Sequence, residues 1–220
     1  MLTAGGAIAA SYALGSIPIA YLAGRAKGVD VRDVGSGNVG ASNVWQSVSR
    51  ALVVPVGLAQ IAQGGGAVLL ARALDQPEGV QVAAGVAAIV ANNWNPWLRF
   101  RGGRGVGAAI GVIGAFSPPA LGAFIAVSVA GVALRTIPQG VAAALAGAPV
   151  AAAAAGESAT VSGGLAVICG AILLKRVLAN EAPDARYERP RVWLTRLLYD
   201  RDDADREVWV RRNVETGVRR

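Results

Sequence analysis

The sequence predicts an all-α, polytopic membrane protein with about seven membrane-spanning helices. Of the 220 residues, 54% are hydrophobic and 16% are charged, whereas about 25% of the residues of a soluble domain are charged. The charges are concentrated near the end, because residues 175–220 hold 12 basic and 9 acidic side chains against 9 and 5 in residues 1–174. Between them lie long apolar runs, which suit a bilayer that a helix of about 20 residues crosses.

Seven apolar segments are predicted as spans: 3–24, 49–71, 80–92, 105–117, 119–134, 138–155 and 159–177. The third and fourth are short and flank an irregular polar stretch, 92–104. Non-helical backbone at membrane depth is tolerated only where protein or a watery cavity covers it. The two short spans around this Gly/Arg loop therefore indicate a site. We divide the chain into a membrane domain, 1–178, and a charged cytoplasmic tail, 179–220.

The distribution of Lys and Arg predicts the orientation. With seven spans, one side of the membrane receives every Lys and Arg except Arg72. Cytoplasmic loops carry the excess of cations, so we expect a multi-pass protein of the cell membrane with its N-terminus outside and its C-terminus in the cytoplasm. Cytoplasmic cations also account for the isoelectric point near 10.5, and no nucleic-acid partner is expected.

The tail has an amphipathic segment from 191 to 210. Its apolar side chains recur at roughly helical spacing among charges: Trp193, Leu194, Leu197, Leu198 and Trp209. A helix lying on an anionic membrane surface fits this pattern. An ordinary solvated helix of mixed charge fits it equally well.

The absence of His and the single Cys exclude several chemistries. A Ser-His-Asp triad and a His general base need an imidazole, and a Cys/His zinc site or a disulfide framework needs more of these residues. We expect neither a metal nor a cofactor.

The first cytoplasmic loop, 28–43, reads GVDVRDVGSGNVGASN. Its four glycines disfavour a helix and allow backbone N–H groups to point at one anion. Ser and Asn side chains add neutral donors, Ser42 or Asn43 can cap the second span, and Arg32 adds a cation that can bind phosphate with two hydrogen bonds. A flexible loop is the alternative, but the density of Gly, Ser and Asn beside a membrane favours phosphate binding.

The second loop, 99–105, reads RFRGGRG. It places three Arg among three Gly directly before the fourth span. Guanidinium groups at a helix N-terminus form an anion clamp. Topology alone requires cations but not the intervening glycines. Together the two loops predict either two bound phosphates or one phosphate held from both sides.

Two segments of the chain resemble signature motifs of a known family. GSGNVGASN at 35–43 and FRGGRGVGAA at 100–109 are similar to motifs of the bacterial integral-membrane acyl-phosphate:glycerol-3-phosphate acyltransferases. The segment 15–18 and the residues Gly28, Asp30 and Arg32 also resemble that family. The resemblance covers roughly residues 5–178, so the tail extends beyond it.

The resemblance implies transfer of a fatty acyl group from acyl phosphate to the 1-hydroxyl of glycerol 3-phosphate, which gives lysophosphatidic acid in phospholipid synthesis. The implied partners are these two substrates and membrane lipid. The catalytic residues would be Ser36, Arg101, Arg104 and Asp30. Phosphate would be bound by Gly35, Gly37, Asn38, Gly40, Asn43, Arg32, Gly102 and Gly103. The hydroxyl proton would pass to a substrate phosphate oxygen or to a carboxylate such as Asp30.

Several positions depart from the family pattern. The family has Lys at positions 101 and 104, Arg at 46, Asp and Lys at 60 and 63, His at 93, and Ser near 138. This chain has Arg101, Arg104, Gln46, Gln60, Gln63, Asn93 and Pro138-Gln139, and of the third motif it keeps at most Lys175-Arg176. Losing a charge-assisted hydrogen bond costs about 1.5–3 kcal/mol. A catalytically inactive or substrate-switched homologue that binds phosphorylated lipids is therefore an alternative.

A transporter of a phosphorylated or anionic solute is a second alternative, since interrupted spans mark transporter sites. Against it, the cations and glycine loops cluster on one face rather than at the bilayer midplane.

Overall fold

A computed structural model describes residues 3–180 and 189–205. This part of the chain forms helices, turns and loops without a β-strand, which confirms the predicted all-α class. The helices are α1 Ala4–Gly15, α2 Ile19–Arg25, α3 Ala41–Ser47, α4 Val53–Ala73, α5 Glu78–Asn93, α6 Val106–Phe116, α7 Pro118–Ala133, α8 Ile137–Ala154, α9 Ala159–Leu178 and α10 Arg189–Tyr199.

Each of the seven predicted spans coincides with helix. Within the described residues, four stretches are long and apolar enough to cross a membrane: Ala4–Arg25, Arg50–Ala73, Ile137–Ala154 and Ala159–Leu178. The shorter helices α6 and α7 are also apolar. Four candidate spans establish a membrane-type helical bundle, while the count of seven stays a prediction.

The helices pack around one large apolar core. The most extensive contacts join α4 with α6, α7 with α8, and α1 with α5, while α9 packs against α5 and α8. The fully buried side chains of this core include Ile89, Val112, Ile113, Leu145, Leu165, Ile168 and Ile172. Large apolar side chains also point outward and are exposed, among them Leu58, Leu69, Val129, Val150 and Val167. A bundle that is apolar inside and outside suits a lipid environment.

Glycines bring α4 and α6 into backbone contact. A Cβ added at Gly64 would lie 1.9 Å from the carbonyl oxygen of Ala108, and one at Gly111 would lie 1.9 Å from the carbonyl oxygen of Ile61. Small residues at such crossings let membrane helices approach closely. This contact fixes the start of α6, and with it the second loop.

The first span is interrupted at residues 16–18, where α1 ends and Pro18 precedes α2. The break frees carbonyl groups, which must find partners in an apolar environment. Gln63 supplies them: its Nε2 donates to the carbonyl oxygens of Leu14 (2.7 Å), Ile17 (2.9 Å) and Gly15 (3.1 Å). Because Gln63 lies on α4, this side chain also joins the two spans.

The tail helix α10 packs against α8 and α9. Val192 and Arg196 are buried, whereas Trp193, Leu194 and Leu198 are exposed, and the amphipathic helix on a membrane surface stays a prediction. The prediction of a helix to 210 is wrong within the described residues. The helix ends at Tyr199 because Asp200 adopts a left-handed backbone conformation, with φ of 62°. Trp209 lies outside the described residues.

We expect Gly64→Ala to lower the free energy of unfolding by about 1–3 kcal/mol, the usual cost of overpacking. The added methyl group would collide with backbone, which cannot yield as a flexible side chain does. The control is Gly57→Ala in the same helix, where a Cβ meets nothing within 4 Å and helix propensity favours Ala by up to about 1 kcal/mol. Chemical denaturation in detergent micelles measures both, and equal stabilities would contradict the predicted contact.

Candidate active site

The first loop is held in shape by the side chain of Asn43, which is 1% exposed. Its Nδ2 donates hydrogen bonds to the carbonyl oxygens of Val31 (2.8 Å), Val34 (3.1 Å) and Asn38 (3.1 Å). Its Oδ1 accepts from the backbone N–H of Ser36 (3.1 Å) and from the hydroxyl of Ser47 (3.3 Å). A single buried amide therefore organises the segment from 31 to 38.

Glycine is required where this loop turns around Asn43. Gly35 and Gly37 have φ of 57° and 65°, and a Cβ at Gly35 would lie 2.3 Å from Oδ1 of Asn43. Left-handed backbone is readily accessible to Gly. Below the loop, Val31, Val39 and Val44 pack into a second, smaller apolar cluster, so the loop is fixed on both sides.

The second loop is tied to the end of α9. Lys175 Nζ donates to the carbonyl oxygen of Phe100 at 3.4 Å and lies 5.5 Å from the ring centroid of Trp94. Asn180 Nδ2 donates to the carbonyl oxygen of Gly102 at 2.9 Å. Arg99 and Phe100 both adopt left-handed φ, 53° and 63°, so the chain reverses sharply before the glycines.

The second loop touches the first loop through Gly103 and touches the end of α5 through Gly102. A Cβ at Gly102 would lie 2.0 Å from the carbonyl oxygen of Asn92, and one at Gly103 would lie 2.5 Å from that of Val39. The Gly103 N–H donates to the Asn92 carbonyl at 3.1 Å. These glycines therefore have a steric role, which brings the two signature segments together.

A cavity of about 460 Å³, called the main cavity here, borders both loops. Its polar lining comes from the loops, the helices next to them and the tail: Asn38, Ser42, Gln46, Gln60, Asn92, Arg104, Arg176 and Asp200. Its apolar lining comes from α4, α6, α8 and α9: Ile61, Val106, Ile110, Ile137, Val141, Leu145 and Ile172. The cavity thus combines a long apolar wall with a cationic polar part.

Two arginines and one carboxylate meet in the polar part of the main cavity. Arg104 Nη1 lies 2.6 Å from Oδ2 of Asp200, and Arg176 Nε lies 3.3 Å from Oδ1 of the same residue. Burial raises the pKa of the Asp200 carboxyl above its usual value, and the neighbouring Arg104 and Arg176 oppose that shift. Two guanidinium groups against one carboxylate leave this region net positive.

A second cavity of about 620 Å³, called the arginine cavity here, is lined by Tyr21, Arg32, Trp97, Leu98, Arg99 and Arg101. Arg32 lies 5.0 Å from the ring centroid of Tyr21. Asp30 binds Arg32 with two hydrogen bonds, of 2.9 Å to Nε and 2.7 Å to Nη2. This bond from Arg32 holds the pKa of the Asp30 carboxyl below its usual value, in spite of partial burial.

The structure distributes the predicted site residues differently from the sequence expectation. Asn38, Gly40 and Arg104 line the main cavity, whereas Arg32 and Arg101 line the arginine cavity. Of the three arginines of the second loop, Arg99 and Arg101 therefore line the arginine cavity and Arg104 lines the main cavity. The arginine cavity has three arginines, one of them paired with Asp30, and the main cavity has two arginines with Asp200. The structure therefore has two separate anion-binding regions.

Three predicted site residues, the phosphate ligand Asn43 and the catalytic residues Ser36 and Asp30, make other contacts in the described structure. Both the amide nitrogen and the amide oxygen of Asn43 are hydrogen-bonded to backbone groups of the first loop. Ser36 lines neither cavity, and its hydroxyl accepts from the Asn38 N–H at 3.4 Å. Asp30 is bound by Arg32. For these residues the contacts favour positioning over direct contact with substrate. Gly35 shapes the same turn.

The positions that depart from the family pattern are found at the site. Gln46, Gln60 and Pro138 line the main cavity. The side-chain nitrogen and oxygen of Asn93 are buried and hydrogen-bond to nothing in the described part of the chain. Gln46, Gln60 and Pro138 therefore change the lining of the main cavity, whereas Asn93 lines neither cavity.

Sequence analysis missed Asp200 and did not assign Arg176 to the cavity. Asp200 lies 96 residues after Arg104, within a mixed-charge tail in which no spacing marks it. Arg176 was noted only as a remnant of the third motif.

Fold and site together define a helical, multi-pass membrane protein with an amphiphile-shaped cavity beside two glycine- and arginine-rich loops. The chain belongs to the family described as "Glycerol-3-phosphate acyltransferase", which matches residues 6–181. It is 34% identical to "Glycerol-3-phosphate acyltransferase 4" of Dehalococcoides mccartyi (strain CBDB1) over 94% of this chain and 92% of that protein. An alignment of that extent reaches into the tail.

A relative that aligns over a shorter part of the chain and two solved structures support the same family. The chain is 45% identical to "Glycerol-3-phosphate acyltransferase 1" of Deinococcus radiodurans over 53% of this chain and 59% of that protein. The crystal structure of PlsY (YgiH), an integral membrane glycerol 3-phosphate acyltransferase, in its glycerol 3-phosphate form superposes with a TM-score of 0.73. The identity is 30%, over 79% of this chain and 88% of that one. The lysophosphatidic acid form gives 0.72 at 28% identity, over 79% and 87%.

We expect Asn43→Asp to destabilise the first loop severely. The substitution keeps the size but replaces two N–H donors by an oxygen that faces three carbonyl groups, at a cost of about 3 kcal/mol. Ser47→Ala removes only the 3.3 Å contact and should cost less than about 1 kcal/mol. Thermal unfolding and protease cleavage within 28–43 report the difference. If Asn43→Asp were as stable as Ser47→Ala, the organising role of Asn43 would be wrong.

Proposed function

We propose that this protein transfers a fatty acyl group from acyl phosphate to the 1-hydroxyl of glycerol 3-phosphate, with lysophosphatidic acid and phosphate as products. The observation that carries the proposal is the main cavity, in which an apolar wall from four helices meets Arg104 and the first loop. An acyl phosphate has the same two parts, an alkyl chain and an anionic head. The family to which the chain belongs supports the same reaction.

The reaction requires little covalent chemistry from the protein. Acyl phosphate is a mixed anhydride, so the hydroxyl oxygen attacks the carbonyl carbon and the bond to the phosphate oxygen breaks. Phosphate leaves with the electron pair. Arg104 would stabilise the charge that develops on this phosphate, which is the kind of electrostatic assistance that preorganised donors supply. Holding both substrates in contact supplies the rest.

The proton of the attacking hydroxyl goes most favourably to a substrate phosphate. Asp30 is the carboxylate that sequence analysis suggested, but its pKa is lowered by the bond from Arg32, which makes it a weaker base. It also accompanies the arginine cavity and not the main cavity. A phosphate monoester, with a second pKa near 6, is the better acceptor at neutral pH.

The arginine cavity suits the phosphate of glycerol 3-phosphate. Arg32, Arg99 and Arg101 line it without a comparable apolar wall, so it favours a small, strongly anionic ligand. Arg101 lines the arginine cavity and Arg104, only three positions later in the second loop, lines the main cavity. We infer that each substrate phosphate has its own arginine on this loop.

A substrate-switched relative is the second candidate function. Gln46 and Gln60 line the main cavity where the family pattern has charged residues, so the acyl acceptor that reaches this cavity can differ while Arg104 still binds the phosphate of acyl phosphate. Acyl phosphate would then be consumed with phosphate release but without lysophosphatidic acid.

The protein is proposed to lie in the cell membrane with its N-terminus outside and its C-terminus in the cytoplasm. The support is the distribution of Lys and Arg in the sequence. The tail contacts the second loop through Arg104 and Asn180, and the first loop contacts the second through Val39 and Gly103, which is consistent with their lying on one side.

We expect thiol labelling to report this orientation. Thr3→Cys and Asp205→Cys place thiols at exposed positions near the two ends, whereas the native Cys169 is buried. A membrane-impermeant maleimide should label only the Thr3→Cys protein in right-side-out vesicles and only the Asp205→Cys protein in inverted ones. The unsubstituted protein is the control, and the reverse pattern would contradict the proposed orientation.

We expect the purified protein in lipid to convert palmitoyl phosphate and glycerol 3-phosphate to lysophosphatidic acid and phosphate in equal amounts. Arg104→Ala should raise KM for palmitoyl phosphate and lower kcat, whereas Arg101→Ala should raise KM for glycerol 3-phosphate. Each substitution should lower kcat/KM for the substrate concerned by about tenfold to a hundredfold. Arg50→Ala is the matched control, because Arg50 is exposed and lines neither cavity.

Three outcomes would change the proposal. Phosphate release without lysophosphatidic acid would favour the substrate-switched enzyme. No turnover in folded protein would exclude the family reaction. Identical kinetic effects of the Arg101 and Arg104 substitutions would contradict the separation of the two phosphate sites.

A further inference from the structure

The tail contributes a charged residue to the main cavity. Arg104 Nη1 donates to Oδ2 of Asp200 at 2.6 Å, and its Nη2 donates to the carbonyl oxygen of the same residue at 3.4 Å. All hydrogen bonds given to the Arg104 guanidinium within the described residues therefore go to position 200. The direction of this motif cation is set by a residue that lies outside the family match, which ends at 181.

The tail is itself firmly attached, so Asp200 occupies a defined place. Arg176 donates from Nε to the carbonyl oxygen of Arg196 at 3.1 Å and from Nη2 to that of Leu198 at 3.2 Å. In the opposite direction, Arg196 Nη1 donates to the carbonyl oxygens of Val177 and Leu178. Arg196 also forms a buried ion pair with Asp202. The anchors lie on both sides of Asp200 in the chain.

The two arginines beside Asp200 differ in how many of their N–H groups are already hydrogen-bonded within the protein. Arg176 uses Nε and Nη2 on carbonyl groups of the tail and of Pro138, so its role is to hold the tail. Arg104 directs two N–H groups to position 200. Because a guanidinium has five N–H donors, three remain for a phosphate. Arg104 is thus the cation that can bind Asp200 and a substrate phosphate at the same time.

The arginine cavity shows the same arrangement. Arg32 directs Nε and Nη2 to Asp30 at 2.9 and 2.7 Å and still lines the cavity. The Asp30 carboxylate accepts two hydrogen bonds from Arg32, whereas Asp200 accepts one from Arg104 with its carboxylate and one with its backbone carbonyl. Each arginine keeps three further N–H donors available. Because the guanidinium group is already ordered by the carboxylate, the arginine loses less side-chain entropy when substrate binds.

We propose that Asp200 is a positioning residue of the acyl phosphate site, which turns Arg104 toward the substrate phosphate, and that the tail thereby completes the main cavity. This inference rests on the proposed function, in which Arg104 binds that phosphate. Asp200 also lies between Arg104 and Arg176 and lowers their mutual repulsion, so that both can line one cavity. The carboxylate acts through Arg104 and does not react with substrate.

The test is a double-mutant cycle with Arg104→Gln, Asp200→Asn and the combined variant. Asp200→Asn should lower kcat/KM for palmitoyl phosphate about tenfold, mainly through KM, and leave KM for glycerol 3-phosphate unchanged. In the Arg104→Gln background the same change should have no further effect, because residues that act through one contact are not additive. Asp200→Glu, which keeps the charge, should recover part of the loss.

The matched control is Asp205→Asn, the same chemical change at an exposed position of the same segment, which should leave the kinetics unchanged. Thermal unfolding of each variant shows whether it is folded. If Asp200→Asn lowers the activity by the same factor with and without Arg104, Asp200 merely supports the tail and the proposal is wrong. If Asp200→Asn raises activity and lowers KM, the carboxylate competes with the phosphate for Arg104, which also overturns it.

Binding distinguishes failure of this inference from failure of the proposed function. If the unsubstituted protein does not turn over, the function proposed above fails. The same four proteins of the cycle are then titrated with palmitoyl phosphate in detergent micelles and followed by tryptophan fluorescence. Coupling between positions 104 and 200 in the dissociation constants supports the positioning role. Binding that is unaffected by Asp200→Asn, or affected independently of Arg104, contradicts it.

Discussion

The buried amide of Asn43 is the interaction on which the site depends. Every hydrogen bond it makes stays within residues 31–47, so it converts a glycine-rich segment into a fixed turn. The shape of that turn places Val39 where Gly103 can approach its carbonyl group. The contact between the loops then decides where the second loop runs. Without the amide nitrogen of Asn43, the three backbone carbonyl groups that accept its hydrogen bonds would lose this donor, which is costly for buried polar groups.

The contact between the loops also explains why the cations divide between two cavities. Gly102 and Gly103 are pressed against backbone from α5 and from the first loop, so the residues before and after them leave in different directions. Arg101 enters the arginine cavity and Arg104 the main cavity. Two phosphorylated substrates can therefore be held apart by neutral backbone, which reduces the repulsion between their charges while keeping them on one loop.

Sequence reasoning predicted the helices and both loops well, because apolar runs and glycine clusters are local features. It could not predict which donors the loops use internally. Asn43 and Asn38 carry the same side chain five positions apart, yet one is consumed by the turn and the other lines the main cavity. Asp200 could not be predicted for a different reason: its ion pair with Arg104 joins residues 96 positions apart in the sequence, and no periodicity in a mixed-charge tail marks one acid among several. The buried role of Gln63 at the break in the first span likewise depends on a contact between distant helices.

The Arg104–Asp200 ion pair has a consequence for biosynthesis. The ribosome makes the chain from the N-terminus, so the second loop enters its place in the membrane long before position 200 exists. Until the tail has been translated and has docked on α8 and α9, the main cavity lacks Asp200 from its lining and Arg104 lacks the ion pair with that residue. A bundle that has been inserted without the tail therefore lacks Asp200 at the main cavity, although both glycine-rich loops are already present.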